Sequence, residues 1–312
     1  MNPRSLAKHV LERALARAAA RVPHQRSRRF SLIVAYHNVL PPGARPVGDT
    51  GLHVPFDTFR RHLDLLQGRA NLVPLDVALS HSPVPNGRPT VAITFDDGYR
   101  GTVETGLAEL RRRDVPAAVF VCPGLAAGDA FWWDALSNPQ TGSVDPSVRC
   151  HALGALDGRQ ERIRDWAQAQ NLTWREMPEH CRIAGEDALR RTATGKGVVL
   201  GAHTWSHANL GALTPDAVRA EAARALEWLQ ARGLTATRAL AYPYGIPPRD
   251  PEVAIPAAGC SHGLLVSGGW YHGQGSDAWR IPRYNVPAGL SADGFQIRLA
   301  GWMPHCGTEP GL

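Results

Sequence analysis

Seven short apolar runs punctuate the chain, near residues 31–37, 91–95, 117–122, 197–202, 238–243, 262–267 and 280–284. The first four are rich in Val, Ile, Leu and Ala with little polar alternation, the pattern of strands covered on both faces; the last three are less apolar and include Arg238, His262, Arg280 and Arg283. Between them apolar residues recur every three or four positions, as from Phe56 to Leu66, from Thr102 to Arg113 and from Pro215 to Ala231, which predicts amphipathic helices. The last of these carries Thr214 as N-cap, Pro215 at the first helical position and Gly233 just past its end. Alternating buried strands and amphipathic helices predict a parallel α/β architecture. The stretch 123–196 is too long for one strand-to-helix connection and reads as an insertion with helices of its own, between the third and fourth strands. The chain thus divides into a basic N-terminal helix or extension (1–29), a barrel (30–300) and a tail (301–312).

Two strings bring chemistry to strand ends. Val91-Ala92-Ile93 runs into Thr94-Phe95-Asp96-Asp97-Gly98-Tyr99, where Gly98 gives the chain freedom to turn. Neighbouring side chains of an extended segment leave in opposite directions, so Asp96 and Asp97 are expected to hold different posts. Val198-Val199-Leu200-Gly201-Ala202 leads into His203-Thr204-Trp205-Ser206-His207. A helical turn beginning near His203 would set both imidazoles on one face. Taken singly, Asp-Asp-Gly also fits a turn with Asx hydrogen bonds, and the histidine pair also fits a surface helix. Both strings follow buried strands, where barrel enzymes keep their chemistry. One carboxylate and two neutral imidazoles make a three-ligand site, which for Zn²⁺ leaves a fourth position for a water of pKa about 7.

These strings, together with Ala241-Tyr242-Pro243-Tyr244-Gly245, resemble the polysaccharide deacetylase family over about residues 30 to 300. The resemblance implies a distorted (β/α)7 barrel that removes an acetyl group from a sugar, usually an N-acetyl amino sugar, with a divalent metal. It implies Asp96 as general base, Asp97, His203 and His207 as metal ligands, and the backbone N–H of Tyr244 as the oxyanion donor. Most members take their general acid from a Leu-x-His motif near the C-terminus. Here the corresponding segment is Arg280-Ile281-Pro282-Arg283-Tyr284-Asn285-Val286, and the later His305 lies in a Pro/Gly-bearing tail. The first run, Ser31 to Tyr36, ends instead in His37, similar to the branch containing biofilm poly-N-acetylglucosamine deacetylases, in which the acid sits on the first strand. His37 is therefore expected to be the general acid; a strand-end histidine bonded to a loop is the alternative. The third motif commonly has an arginine that pairs with the base, and this chain has Ala241 there. Arg283 or Arg280 is expected to reach in, since a guanidinium matches a carboxylate with a planar fork; solvent-facing arginines on the rim are the alternative.

Within the insertion stand Phe131-Trp132-Trp133-Asp134-Ala135-Leu136 and, later, Trp166 and Trp174. Their rings suit stacking on sugar faces, or equally a core that anchors the insertion. At 44% hydrophobic, a chain of 312 residues has the means for one decorated barrel. Cys122, Cys150, Cys181, Cys260 and Cys306 are widely spaced, indicating neither a zinc knuckle nor a disulfide framework. The N-terminus lacks the continuous apolar stretch of a secretory signal, and cytoplasmic placement is expected. Residues 4 to 29 mix eight basic residues with Leu6, Val10, Leu11, Leu15 and Val22. That pattern fits a helix resting on an anionic membrane, as a lipid-linked sugar substrate would require, or a solvated or barrel-capping helix. A net charge of +6 admits a polyanion or nucleic-acid binder, but no nucleic-acid motif accompanies it and none is expected as partner. A non-catalytic carbohydrate-binding barrel is the other alternative. The expected activity is metal-dependent deacetylation of an N-acetylated glycan or glycoconjugate, with Zn²⁺ preferred and Co²⁺, Ni²⁺ or Mn²⁺ able to fill the same site.

Overall fold

The computed structural model of the chain describes residues 12–19, 21, 30–80, 88–126, 128–193, 195–234, 236–273 and 276–301. Seven parallel strands form a closed barrel: β1 (Ser31–Tyr36), β2 (Thr90–Phe95), β3 (Ala117–Val121), β4 (Val198–Ala202), β5 (Ala236–Ala241), β6 (His262–Gly268) and β7 (Ile281–Asn285). Each pairs with its chain-order neighbour, and β1 closes the ring by pairing with both β2 and β7. Every apolar run of the sequence coincides with one of these strands to within two residues at either end. The fifth ends two residues early because Tyr242 and Pro243 already turn the chain into a short 3-10 segment, Pro243–Gly245.

Alternation along the strands builds two apolar layers. Leu32, Val34 and Tyr36 of β1 and Val91, Ile93 and Phe95 of β2 face the surrounding helices, while Ile33, Ala92, Ala118, Phe120, Ala239, Ala241, Leu264 and Ile281 fill the barrel. The helix Leu75–Leu79 closes the N-terminal mouth with Leu75, Ala78 and Leu79. Because Ala92 points inward, the period of two carries Thr94 and Asp96 inward as well, toward the open C-terminal mouth.

Helices cover the outside, among them Phe56–Arg69 and Pro215–Ala231, the latter capped by the Thr214 hydroxyl as its sequence predicts. The helix expected from Thr102 opens with a π-helical stretch, Thr102–Gly106, before Leu107–Arg112. Between β3 and β4 lie the helices Trp132–Ala135, Pro146–Gly154, Gln160–Ala169 and Glu186–Ala193. Trp132 and Trp133 are buried there, against Tyr99, Phe131 and Ile163. Of the N-terminal segment, residues 12–19 are helical, with Ala16 and Ala19 buried. Most of the remaining basic residues of 1–29, together with His305 and Cys306 of the tail, lie outside the described residues, as does any further course of that helix. Among the described residues no helix is long and apolar enough to cross a membrane, and Cys122, Cys150, Cys181 and Cys260 are free thiols.

One buried histidine gives the fold a pH limit. His62 receives the Tyr36 hydroxyl at Nδ1 (3.2 Å) and donates Nε2–H to the Leu290 carbonyl (2.9 Å), which defines a neutral ring. Burial pushes its pKa down to about 4, against the pull of that carbonyl. The folded pKa lies below the unfolded value of 6.5, so this stabilisation is complete above that value and drains away as pH falls toward 4. Chemical denaturation should show a loss of about 3 kcal/mol over that window from this group, at 1.36 kcal/mol per unit. A His62→Gln protein should lack that part of the slope; an unchanged slope would remove His62 as its source.

Candidate active site

At the C-terminal mouth, Asp96, Asp97, His203, His207, His37 and the Tyr244 segment line one cavity of about 350 Å³. A larger cavity, about 650 Å³, opens at the other end around Leu75, Leu79, Val198 and Ala236. Convergence of charged donors and acceptors, not volume, selects the smaller one.

The two aspartates part as expected. Asp96 turns into the barrel and meets Arg283, a fully buried side chain of β7. Nη1 donates to Oδ1 at 2.8 Å and Nη2 to Oδ2 at 2.6 Å, the bidentate fork anticipated for Arg283. The same guanidinium donates to Thr94 Oγ1 (3.1 Å) and to the Leu265 carbonyl (2.6 Å), and it lies over the Phe120 ring. Arg280 instead pairs with Asp277 on the surface. Burial opposes charge on Asp96, but Arg283 foremost, with His203 and His37, holds its carboxyl below the usual range. Arg283 is thus the guanidinium partner of Asp96.

Asp97 turns toward the two imidazoles. Its Oδ1 stands 3.3 Å from His203 Nε2 and 3.2 Å from His207 Nε2. Burial again opposes the charge, and both histidines draw the Asp97 pKa far below its ordinary value. The imidazoles respond in opposite senses. Burial disfavours a charged ring at both; Asp96 and Asp97 raise His203, whereas His207 is lowered, with His203 itself repelling a second charge. The two rings stand edge to face with their centroids 4.8 Å apart.

The approach to these posts differs from the helical turn that the His-x-x-x-His spacing predicts. Residues 203–209 form an irregular loop, and Thr204 (φ 65°) and His207 (φ 56°) adopt left-handed backbone. Two left-handed residues cannot propagate a right-handed helix, so the rings meet through a kinked loop. Ser206 pins it, its N–H and hydroxyl both donating to the buried Glu221 (2.9 and 2.8 Å), while the Cys122 thiol donates to the His203 carbonyl (3.1 Å). Among the described residues seven non-glycines have positive φ, and four of them, Asp97, Thr204, His207 and Tyr244, belong to this site. Such conformations cost on the order of 1–3 kcal/mol each for residues other than Gly, Asn or Asp, and they gather where geometry is held for chemistry. After Asp97, Gly98 (φ 72°) continues the left-handed turn with Val121 Cγ1 about where a Cβ would crowd it.

The donor set suits a divalent cation. Asp97, His203 and His207 are all buried and offer ligand atoms within 4.8 Å of one another. Ligands at about 2.0–2.1 Å from a tetrahedral ion stand roughly 3.3 Å apart, as both Asp97 separations do, whereas a direct charged hydrogen bond closes to about 2.7–2.9 Å. His203 Nδ1 donates to the Ala241 carbonyl (2.8 Å), leaving the Nε2 lone pair facing Asp97.

His37 follows β1 at the rim; its carbonyl accepts the Thr102 hydroxyl (2.7 Å) and its ring lines the cavity. Tyr244, with φ of 59°, has its hydroxyl tied back to the Gly158 carbonyl (3.0 Å) and receiving Trp132 Nε1 (3.0 Å), so that only backbone and ring face the cavity. Sequence reasoning missed the role of Glu221 and left Trp133 between cavity and core. Trp133 lies 4.8 Å from the His207 ring and lines the cavity, and Glu221 is one carboxylate among several on an amphipathic helix, with nothing in its spacing to mark it.

The same architecture occurs in solved structures. The deacetylase PplD of Streptococcus pyogenes, in complex with acetate, superposes with a TM-score of 0.59 at 17% identity, covering 86% of this chain and 98% of that one. IcaB of Ammonifex degensii gives 0.58 at 19% identity (88% and 97% covered), and the BpsB deacetylase domain of Bordetella bronchiseptica 0.54 at 16% (83% and 96%). At such identities the likeness shows the fold alone. No curated protein sequence matches significantly. The polysaccharide deacetylase profile, however, matches residues 84–259, more than half of the chain and a span that holds both aspartates, both histidines and the Tyr244 turn, so this protein belongs to the polysaccharide deacetylase family.

Proposed function

We propose that the protein hydrolyses the acetamide of an N-acetylated sugar in a glycan or glycoconjugate, with a divalent cation, Zn²⁺ by preference, held by Asp97, His203 and His207. The observation that carries this reading is the juxtaposition in one cavity of an arginine-clamped Asp96 with the Asp97/His203/His207 cluster. A deacetylase of the same fold, that of Streptococcus pyogenes, is in complex with acetate, the other product of such a reaction.

When bound, the cation supplies Lewis acidity, polarising an acetyl carbonyl and lowering the pKa of a water. Asp96, kept ionised by Arg283, accepts the proton of the attacking water. The two guanidinium bonds leave the carboxylate fixed in the plane of the fork, so little reorganisation accompanies the transfer. An amine leaves poorly unless protonated, and His37, just past the first strand at the same mouth, supplies that proton. The N–H of Tyr244, in its constrained left-handed turn, donates to the developing oxyanion. Asp97 serves as ligand and not as base, because both of its neighbours are imidazoles.

The test is to incubate metal-loaded protein with N-acetylated oligosaccharides, free, polymeric and lipid-linked, and to follow mass and released acetate. Replacement of acetyl by hydrogen in one of them is the expected result. Metal-loaded, folded protein that leaves every acetamide intact would refute the reading.

A further inference from the structure

His203 and His207 are oriented in different ways. The first has its Nδ1 on a backbone carbonyl; the Nδ1 of His207 is buried and has no hydrogen-bond partner among the described residues. Its ring is held instead by aromatic neighbours: Tyr244 edge-on at 4.5 Å, Trp133 at 4.8 Å and Phe131 at 5.8 Å, with Phe131 and Trp133 stacked at 4.3 Å.

Behind Trp133 runs a chain of buried hydrogen bonds. Trp133 Nε1 donates to the Tyr99 hydroxyl (2.8 Å), which donates to Asp134 Oδ2 (2.7 Å). Asp134 Oδ1 accepts His53 Nε2–H (3.0 Å) and the Asp49 N–H (2.8 Å). Burial disfavours a charged His53 and Asp134 favours it more strongly, a balance that draws its pKa to about 10. Nε2 carries a proton in either charge state of the ring, and that proton is the one Asp134 accepts. Asp134 thus takes three donors, all fixed, and the direction of every proton to Trp133 is determined.

We propose that Asp134, Tyr99 and Trp133 are positioning residues for His207, doing through a hydrogen-bonded indole what a backbone carbonyl does for His203. Tyr99 closes the Thr94–Tyr99 string and Asp134 belongs to the insertion, so the insertion is wired to the metal cluster. The inference rests on the cation reading given above.

Co²⁺ titration of the metal-stripped protein, followed by its visible ligand-field spectrum, separates the two claims. Wild type should bind Co²⁺; failure to do so would refute the cation reading itself. Tyr99→Phe and Trp133→Phe should bind on the order of tenfold more weakly and with an altered spectrum, the size of effect found when a ligand's supporting shell is removed. Tyr36→Phe, which loses an equally buried hydrogen bond to His62 in the layer between barrel and helices, should bind as wild type. If Tyr99→Phe fails to fold, Trp133→Phe alone decides, since it keeps an aromatic ring and loses only the donor and some area. Wild-type affinity and spectrum in Trp133→Phe, or equal weakening in Tyr36→Phe, would overturn the proposal.

Discussion

Arg283→Met should lower the stability of the protein by about 3–5 kcal/mol and move the acid limb of its pH–rate profile upward. The guanidinium is fully buried and makes both of its forked bonds to Asp96, itself buried. Removing one partner of such a pair leaves an uncompensated charge, the costly case for buried ion pairs. Asp96 then relieves the cost by taking up a proton, because burial raises its pKa and Arg283 is the foremost influence lowering it. In wild type the carboxylate is ionised throughout the neutral range. In the variant the fraction of ionised base at neutral pH falls, and kcat/KM, whose acid limb reports the base of the free enzyme, should fall on the order of 10²-fold there and recover partly as pH rises. Urea unfolding and a pH–rate profile measure the two effects. A profile superimposable on wild type would show that the fork is structural only.

Asp97→Asn should abolish deacetylation, by on the order of 10³-fold or more, with little loss of fold. The amide keeps the shape of the side chain and removes the anion that faces both imidazoles at 3.2–3.3 Å. A metal supplies several kcal/mol of transition-state stabilisation, and each 1.36 kcal/mol is tenfold in rate. Metal content by elemental analysis should drop in parallel with activity. Retained activity with lost metal would detach the chemistry from the cluster.

Much of this was legible in the chain. The first four strands announce themselves because their residues are covered on nearly every side, whereas β5, β6 and β7, with Arg238 exposed and His262 and Pro282 half-buried, are less apolar and owe their recognition partly to the family resemblance. Asp96 and Asp97 were separable from the alternation of an extended segment, and the substitute for the missing arginine at Ala241 was narrowed to Arg283 and Arg280. What chose between them is the register of β7: Arg283 and Ile281 face the same inward side, whereas Arg280 precedes the strand and pairs with Asp277. The histidine loop was misread for a physical reason. Spacing of four fits one helical turn, but Thr204 and His207 sit in left-handed backbone that no propensity favours, and Glu221 and Cys122, distant in sequence, hold it there. The tryptophans of the insertion likewise gave two readings, core or cavity. Trp132 is wholly core, and Trp133 is both, 4% exposed yet lining the cavity.

In the proposed reaction, acetyl hydrolysis depends on a cation held by Asp97, His203 and His207. The most direct test measures acetate release from an N-acetylated glycan that wild type accepts, in three samples: metal-stripped wild type, the same protein after Zn²⁺ is restored, and a folded His203→Ala/His207→Ala protein given the same Zn²⁺. Release in the restored wild type alone is the expected result. Undiminished release by the protein lacking both imidazoles would contradict it.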